Sequence, residues 1–207
     1  MKTESIIAFI RETYSTKEAI PLHAPSFHGR EVEMVSETIK SSFVSSVGKN
    51  VDIFEKQIEE FTGSKRSVAT VNGTSALQVS LELAGVVKDD LVLTQALTFI
   101  ATCNAIAQTG ASPIFLDVNK NSLGMCPNSL EEFIHTRTYM DNEGLLRYKE
   151  TDQIIRAVIP MHTFGHPIQL DEIEKITKLY NLQLIEDAAE SLGSFYKGEH
   201  TGVRGRF

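Results

Sequence analysis

Cysteine is scarce in this sequence. Its two copies, Cys103 and Cys126, lie far apart and outside any Cys-x-x-Cys spacing. That excludes a zinc ribbon or a disulfide framework and makes a reducing cytoplasm the simplest setting. Positive charge is also short. Twenty Lys and Arg stand against 27 Asp and Glu, a formal net charge of −7, so no bulk basic field exists to hold nucleic acid or an anionic membrane. Long apolar runs are missing. The stretch Ile6 to Ile10 is broken by Arg11 and Glu12, which suits neither a signal peptide nor a membrane span. No G-x-G-x-x-G follows a candidate strand. Gly193 and Gly198 have the spacing of a phosphate-binding Walker A loop, but Glu199 stands where lysine is required, so both common nucleotide signatures fail. Neither an internal repeat nor a low-complexity tract is present.

What remains is ordinary globular composition, 42% hydrophobic and 23% charged over 207 residues, enough for one large core or a core plus a small annex. Residues 3–14 read as a short amphipathic helix, and Pro21 and Pro25 punctuate an irregular lead-in. Helices are expected over 31–41 and 51–61, the second with a stripe of Val51, Phe54, Ile58 and Phe61 and a stop at Thr62-Gly63. Strands and helices then alternate. Strands are expected at 67–71, 91–94, 113–118, 154–160 and 182–186, and helices at 73–84, 98–108, 128–138 and 171–180. A polar loop or insertion is expected over 139–152, and a strand–turn–strand near 194–201. This order predicts an α/β fold with a mostly parallel sheet covered on both faces. Two divisions are expected: an N-terminal helix and lead-in over 1–25, and an incomplete large domain over 26–207.

In open α/β sheets, ligands gather beyond the carboxyl ends of the strands. After Val71, the run Asn72-Gly73-Thr74-Ser75 opens a helix and offers free N–H groups, two hydroxyls and a glycine at a positive dipole end. That is a phosphate seat, or else a plain N-cap by Asn72 or Thr74. Beyond Thr94, Phe99 is placed to stack on an aromatic ligand or simply to join the core, with Thr98 and Thr102 as hydrogen-bond donors. His162 and His166 follow the strand ending at Pro160. Gly165 and Pro167 make their segment a loop, and no further ligand is placed by sequence, so a metal site is not expected. Asp187 ends another strand, placed to meet a cationic ring nitrogen, Mg²⁺ or a ribose, or to cap a helix.

Ile20-Pro21-Leu22, Phe43-Val44-Ser45-Ser46-Val47-Gly48, Asn72-Gly73-Thr74-Ser75-Ala76-Leu77 and Thr98-Phe99-Ile100-Ala101-Thr102 are four ordered blocks. Pro160-Met161-His162-Thr163-Phe164-Gly165-His166-Pro167 and Glu186-Asp187-Ala188-Ala189-Glu190-Ser191-Leu192-Gly193 complete the set. Together they resemble the DegT/DnrJ/StrS family of pyridoxal-phosphate sugar aminotransferases, of the aspartate-aminotransferase-like fold type I. The resemblance implies pyridoxal 5′-phosphate as cofactor, with Gly73, Thr74 and Ser75 at its phosphate, Phe99 stacked on its ring and Asp187 at its pyridinium nitrogen. Glu190 stands where many members carry glutamine near the ring hydroxyl. His162 and His166 would shape the cofactor or sugar pocket. The implied reaction moves an amino group, with glutamate as donor, to a nucleotide-linked 4-keto-6-deoxy sugar of the bacillosamine or legionaminate type, in a cytoplasmic homodimer.

The resemblance also implies a Schiff-base lysine, which both anchors the cofactor and shuttles the substrate proton. It is expected roughly ten residues beyond Phe207, followed by a small C-terminal domain, so no catalytic residue is assigned within the chain. Lys197 belongs to a solvated hairpin turn, and Lys175 and Lys178 to the polar face of a helix. The chain alone is therefore expected to be inactive. Two alternatives stay open: a dehydratase of the same family with histidine in place of that lysine, and a non-catalytic binding or dimerisation remnant.

Overall fold

The computed structural model describes residues 3–21 and 24–207, so Leu22 of the first block lies outside the described residues. The chain divides into two compact units, residues 1–48 and 49–207. The first contains α1 (Thr3–Thr13) and α2 (Glu31–Ser41). Helix α2 has Glu31 and Glu33 in its first turn and Lys40 in its last, matching the helix dipole at both ends.

The second unit opens with α3 (Lys49–Thr62), closed by Gly63 at φ +79°, the left-handed conformation that ends helices. Then come α4 (Gly73–Leu83), β1 (Leu91–Gln95), α5 (Ile100–Gln108), β2 (Ser112–Leu116) and α6 (Pro127–Arg137). A hairpin of β3 (Thr138–Met140) and β4 (Leu146–Tyr148) precedes β5 (Ile155–Ile159), α7 (Leu170–Leu179) and β6 (Gln183–Leu184). A last hairpin pairs β7 (Phe195–Tyr196) with β8 (Glu199–His200).

The central sheet runs β2-β1-β5-β6 with every neighbouring pair parallel. Its strands are apolar on both faces, and alternate residues feed separate cores. Leu91, Leu93 and Val158 pack with Leu130, Ile134, Ile173 and Ile176 of α6 and α7. Val92, Ala157 and Ile159 pack with Leu81 of α4 and Ala105 and Ile106 of α5. This is the predicted sheet with helices on both faces.

One expectation fails. Residues 67–71 form no strand. Val68 and Val71 are exposed, and the amides of Ser67 and Ala69 donate to Glu59 Oε1 (3.0 Å) and Glu55 Oε1 (2.7 Å) on α3. β-branched composition suits a strand, but a strand exists only through a paired neighbour. The polar stretch 139–152, expected as a loop or insertion, is largely a hairpin inserted between α6 and β5. Asp141 accepts from the amides of Glu143 and Leu145, both 2.9 Å, and from Arg147 Nε at 2.6 Å, while Gly144 turns the chain at φ +77°. The Arg147 guanidinium, then the Leu145 amide, hold the Asp141 carboxyl below its usual range. The α3 stripe is only partly covered, with Val51 and Ile58 half-buried. Phe54 and Phe61 are 52% and 57% exposed, and α3 contains no buried residue.

Candidate functional site

The carboxyl ends of β1, β5 and β6 and the N-terminus of α4 surround one cavity of about 660 Å³. Gly73 and Thr74 line it from α4, Phe99 from the turn after β1, Met161 from beyond β5, and Ile185 to Glu190 from beyond β6. Of the residues singled out in the sequence, Gly73, Thr74, Phe99, Asp187 and Glu190 share this cavity. Ser75, His162 and His166 do not.

At the α4 end, Asn72 is the N-cap, its Oδ1 accepting from Ser75 N at 2.9 Å. The capping alternative is therefore realised by Asn72, and it commits the Ser75 amide. The amides of Gly73 and Thr74 have no acceptor among the described residues, as the first turn of a helix leaves them. A Cβ on Gly73 would meet nothing within 4 Å, so the glycine keeps the backbone open to the cavity. Free N–H groups at a positive dipole end suit an anion.

Asp187 lines the same cavity from beyond β6. It is 4% exposed, and no helix follows it, which removes the capping alternative. Its backbone is fixed between strands: its N–H donates to Pro160 O (2.9 Å) and its carbonyl accepts from His162 N (3.1 Å). Its Oδ2 accepts from Thr102 Oγ1 at 2.6 Å and its Oδ1 from Ala189 N at 3.3 Å. No cation pairs with it among the described residues. A buried carboxylate without a counter-charge is costly, and a cationic ring atom in the cavity would complete it. Phe99 is 64% exposed, leaving its ring face free to take a flat ligand. These residues fit a ring that carries an anionic group and a cationic nitrogen.

Glu190 is exposed at the cavity wall. Its Oε2 accepts from Phe164 N at 2.6 Å, which bears on a turn where Phe164 takes φ +55°. His166 is exposed at the end of that turn, away from the cavity lining.

His162 is a structural residue. It is fully buried, its Nδ1 accepting from Ile168 N (3.2 Å), so Nε2 carries the hydrogen donated to Glu186 Oε2 (3.0 Å). Glu186 also accepts from Gly202 N (3.0 Å), Arg204 N (2.8 Å) and Gly205 N (2.6 Å). Burial pushes its carboxyl up, but the bonds from His162, Gly205 and Gly202 outweigh it and hold the group below its usual range. This clamp draws the terminal segment against β6, where Arg206 N donates to Leu184 O (2.8 Å) and Phe207 O accepts from Glu186 N (3.0 Å). Gly205 is required there, since a Cβ would fall 2.9 Å from Leu184 O. Phe207 thereby joins the cavity wall.

Two buried residues carry roles that the sequence reading did not assign. Gln95 Nε2 donates to Leu97 O (2.7 Å) and Thr163 Oγ1 (2.8 Å), and its Oε1 accepts from the amides of Met125 (2.8 Å) and Met161 (3.1 Å). It ties together the turns at the strand ends. Thr102, read as a donor to ligand, donates to Asp187 instead. Only position flagged either: Gln95 ends β1, and Thr102 lies one helical turn beyond Thr98. Among the described residues no lysine lines the cavity. The Lys197 ammonium pairs with Asp171 and lies 5.4 Å from the Tyr196 ring centre.

This architecture is that of the large domain of fold type I pyridoxal-phosphate transferases. Solved structures agree: an aminotransferase from Psychrobacter cryohalolentis superposes with TM-score 0.74 at 29% identity, over 89% of this chain and 43% of that one. A DegT/DnrJ/EryC1/StrS aminotransferase from Brucella abortus gives TM-score 0.69 at 32% identity, over 79% and 41%. The profile of the DegT/DnrJ/EryC1/StrS aminotransferase family matches residues 25–207, and the chain belongs to that family. Among curated relatives, a putative pyridoxal phosphate-dependent aminotransferase, EpsN of Bacillus subtilis, is 36% identical over 91% of this chain and 46% of its own length. A GDP-perosamine synthase of Escherichia coli O157:H7 is 34% identical over 90% and 46%. The chain thus spans about half the length of the curated relatives it matches.

Proposed function

We propose that this chain supplies the cofactor-binding wall of a pyridoxal-phosphate-dependent aminotransferase acting on a nucleotide-linked 4-keto-6-deoxy sugar, with glutamate as amino donor. One observation carries the reading: a single cavity joins the free amides of Gly73 and Thr74 to the unpaired carboxylate of Asp187. The amides and the Thr74 hydroxyl would hold the cofactor phosphate. Phe99 would stack on the ring, and Asp187 would keep the ring nitrogen protonated. Pyridoxal phosphate, when bound, supplies an electron-accepting heteroaromatic ring.

The apolar lining from Met161, Ile185 and Ala188 would exclude water from the Asp187 contact and strengthen it. Glu190, fixed by the Phe164 amide, would orient a hydroxyl at the cavity wall. Ser75, His162 and His166 are left outside the cofactor contacts. No described lysine lines the cavity to move the substrate proton. In this proposal the group that does so is a lysine outside these 207 residues, and the chain alone is inactive. The resemblance to GDP-perosamine synthases supports a nucleotide-linked sugar as amino acceptor. A homodimer in the cytoplasm belongs to the same proposal, and among the described residues no helix is long and apolar enough to cross a membrane.

Equilibrium dialysis of pyridoxal 5′-phosphate against this chain tests the site. Binding is expected, weakened by Asp187→Asn and by Gly73→Val. Binding that neither substitution changes would refute the placement. Release of oxoglutarate from glutamate, with a keto-sugar nucleotide present, would refute the inactivity.

A further inference from the structure

We infer that Thr102 is the positioning residue for Asp187, and that the hydroxyl pair Thr98–Thr102 sets how strongly Asp187 can hold a cationic ring nitrogen. The inference rests on the proposed cofactor reading and assigns a role to two residues outside the cavity lining.

The geometry is specific. Among the described residues Asp187 has one side-chain donor, the Thr102 hydroxyl, at 2.6 Å from Oδ2. Thr102 is fully buried, on the first turn of α5, while Asp187 lies beyond β6, so the bond crosses from helix to strand end. An ionised carboxylate has no hydrogen to give, so the Thr102 hydrogen points at Asp187. The Thr102 oxygen is then the acceptor for Thr98 Oγ1, 3.0 Å away. The Thr98 hydrogen accordingly faces Thr102 rather than Met161 Sδ at 3.4 Å. The two hydroxyls form a directed chain ending on the carboxylate, in which each bond polarises the next.

Two consequences follow. The bond to Oδ2, with the 3.3 Å bond from Ala189 N to Oδ1, fixes the carboxyl rotation and leaves each oxygen a lone pair for a ligand. The same bond is the carboxylate's one side-chain hydrogen bond among the described residues, and bonds of that kind to a carboxylate are strong. Without Thr102, Asp187 would be free to turn toward other donors and its charge would lack support. A purely structural threonine would matter for stability alone. A positioning threonine matters for the ring nitrogen in particular.

The test uses this 207-residue chain and two probes: pyridoxal 5′-phosphate, and its carbocyclic analogue with C–H in place of the ring nitrogen. Dissociation constants are measured for the parent, Thr102→Val, Thr102→Ser and Thr98→Val. The parent is expected to prefer the nitrogen ring by about tenfold or more, the range of a hydrogen bond to a charged group. Thr102→Val should remove most of that preference while leaving carbocycle binding unchanged, and Thr102→Ser should restore it. Thr98→Val should remove a smaller part. Equal weakening of both probes by Thr102→Val, or an intact preference, would overturn the inference. Failure of Thr102→Ser to rescue would overturn it as well. A parent that binds both probes alike refutes the placement of the ring nitrogen at Asp187, a failure of the cofactor reading visible before any variant is made. Melting curves of Thr102→Val and Thr102→Ser separate loss of fold from loss of preference.

Discussion

Replacing Glu186 by glutamine keeps the side-chain volume and changes only what its outer atoms can accept. The carboxylate faces four donors, His162 Nε2 and Gly202 N on one oxygen and the amides of Arg204 and Gly205 on the other. A glutamine amide has one accepting end. Turned either way, its NH₂ group confronts two N–H donors, and the side chain is fully buried, so water cannot relieve them. His162 cannot easily yield by switching its hydrogen to Nδ1, because Nδ1 accepts from Ile168 N. Two stranded buried donors at about 1–3 kcal/mol each, together with weaker bonds to a now neutral acceptor, give a loss of about 3–5 kcal/mol.

That is a large share of the roughly 5–15 kcal/mol that holds a domain folded. The pH dependence has a definite sign. Glu186 lies below the usual glutamate value of 4.5 in the folded chain. Its contribution is therefore present above that value and is lost as pH falls through the folded one. Glu186→Gln should be less stable near neutrality and should show a flatter acid limb. Urea unfolding across pH measures both effects, and hydrogen exchange at Gly202, Arg204 and Gly205 should rise selectively. A loss below about 1 kcal/mol at neutral pH, or an unchanged acid limb, would refute the clamp.

Gly73→Ala should melt within about 1 kcal/mol of the parent, because its Cβ meets open space. It keeps its N–H, so it should bind inorganic phosphate about tenfold more weakly only through its methyl filling the space of an anion seated there; equal binding by titration calorimetry would contradict that seat. Gln95→Leu should cost about 3 kcal/mol or more in urea unfolding, since it strands the amides of Met125 and Met161. Lys197→Ala should leave pyridoxal-phosphate affinity within about twofold of the parent, as its ammonium pairs with Asp171; a larger change in equilibrium dialysis would show that Lys197 reaches the cavity.

Some of this was legible in the residues themselves. The alternation of helices with runs such as Leu91-Val92-Leu93 gave a parallel sheet, because a strand buried on both faces must be apolar throughout. The rule that ligands sit beyond strand ends then pointed to Gly73, Thr74, Phe99 and Asp187, and the family resemblance added Glu190; these five share a cavity. The same reading failed at Ser67 to Val71, and it did not foresee that the Ser75 amide is held by Asn72. Nor did it foresee that His162 turns inward to Glu186.

The amino-acid order determined which backbone segments coil or extend and which residues fall at their ends, since those follow from period, caps and turn formers within a few residues. Only the tertiary structure decided whether a segment found a strand partner, as 67–71 did not. It also decided whether a polar side chain at a strand end met a cavity or a buried partner. Asp187 and Glu186 are neighbours in sequence and point to opposite tasks, because hydrogen-bond partners such as Thr102 and His162 come from remote segments that only folding brings within 3 Å.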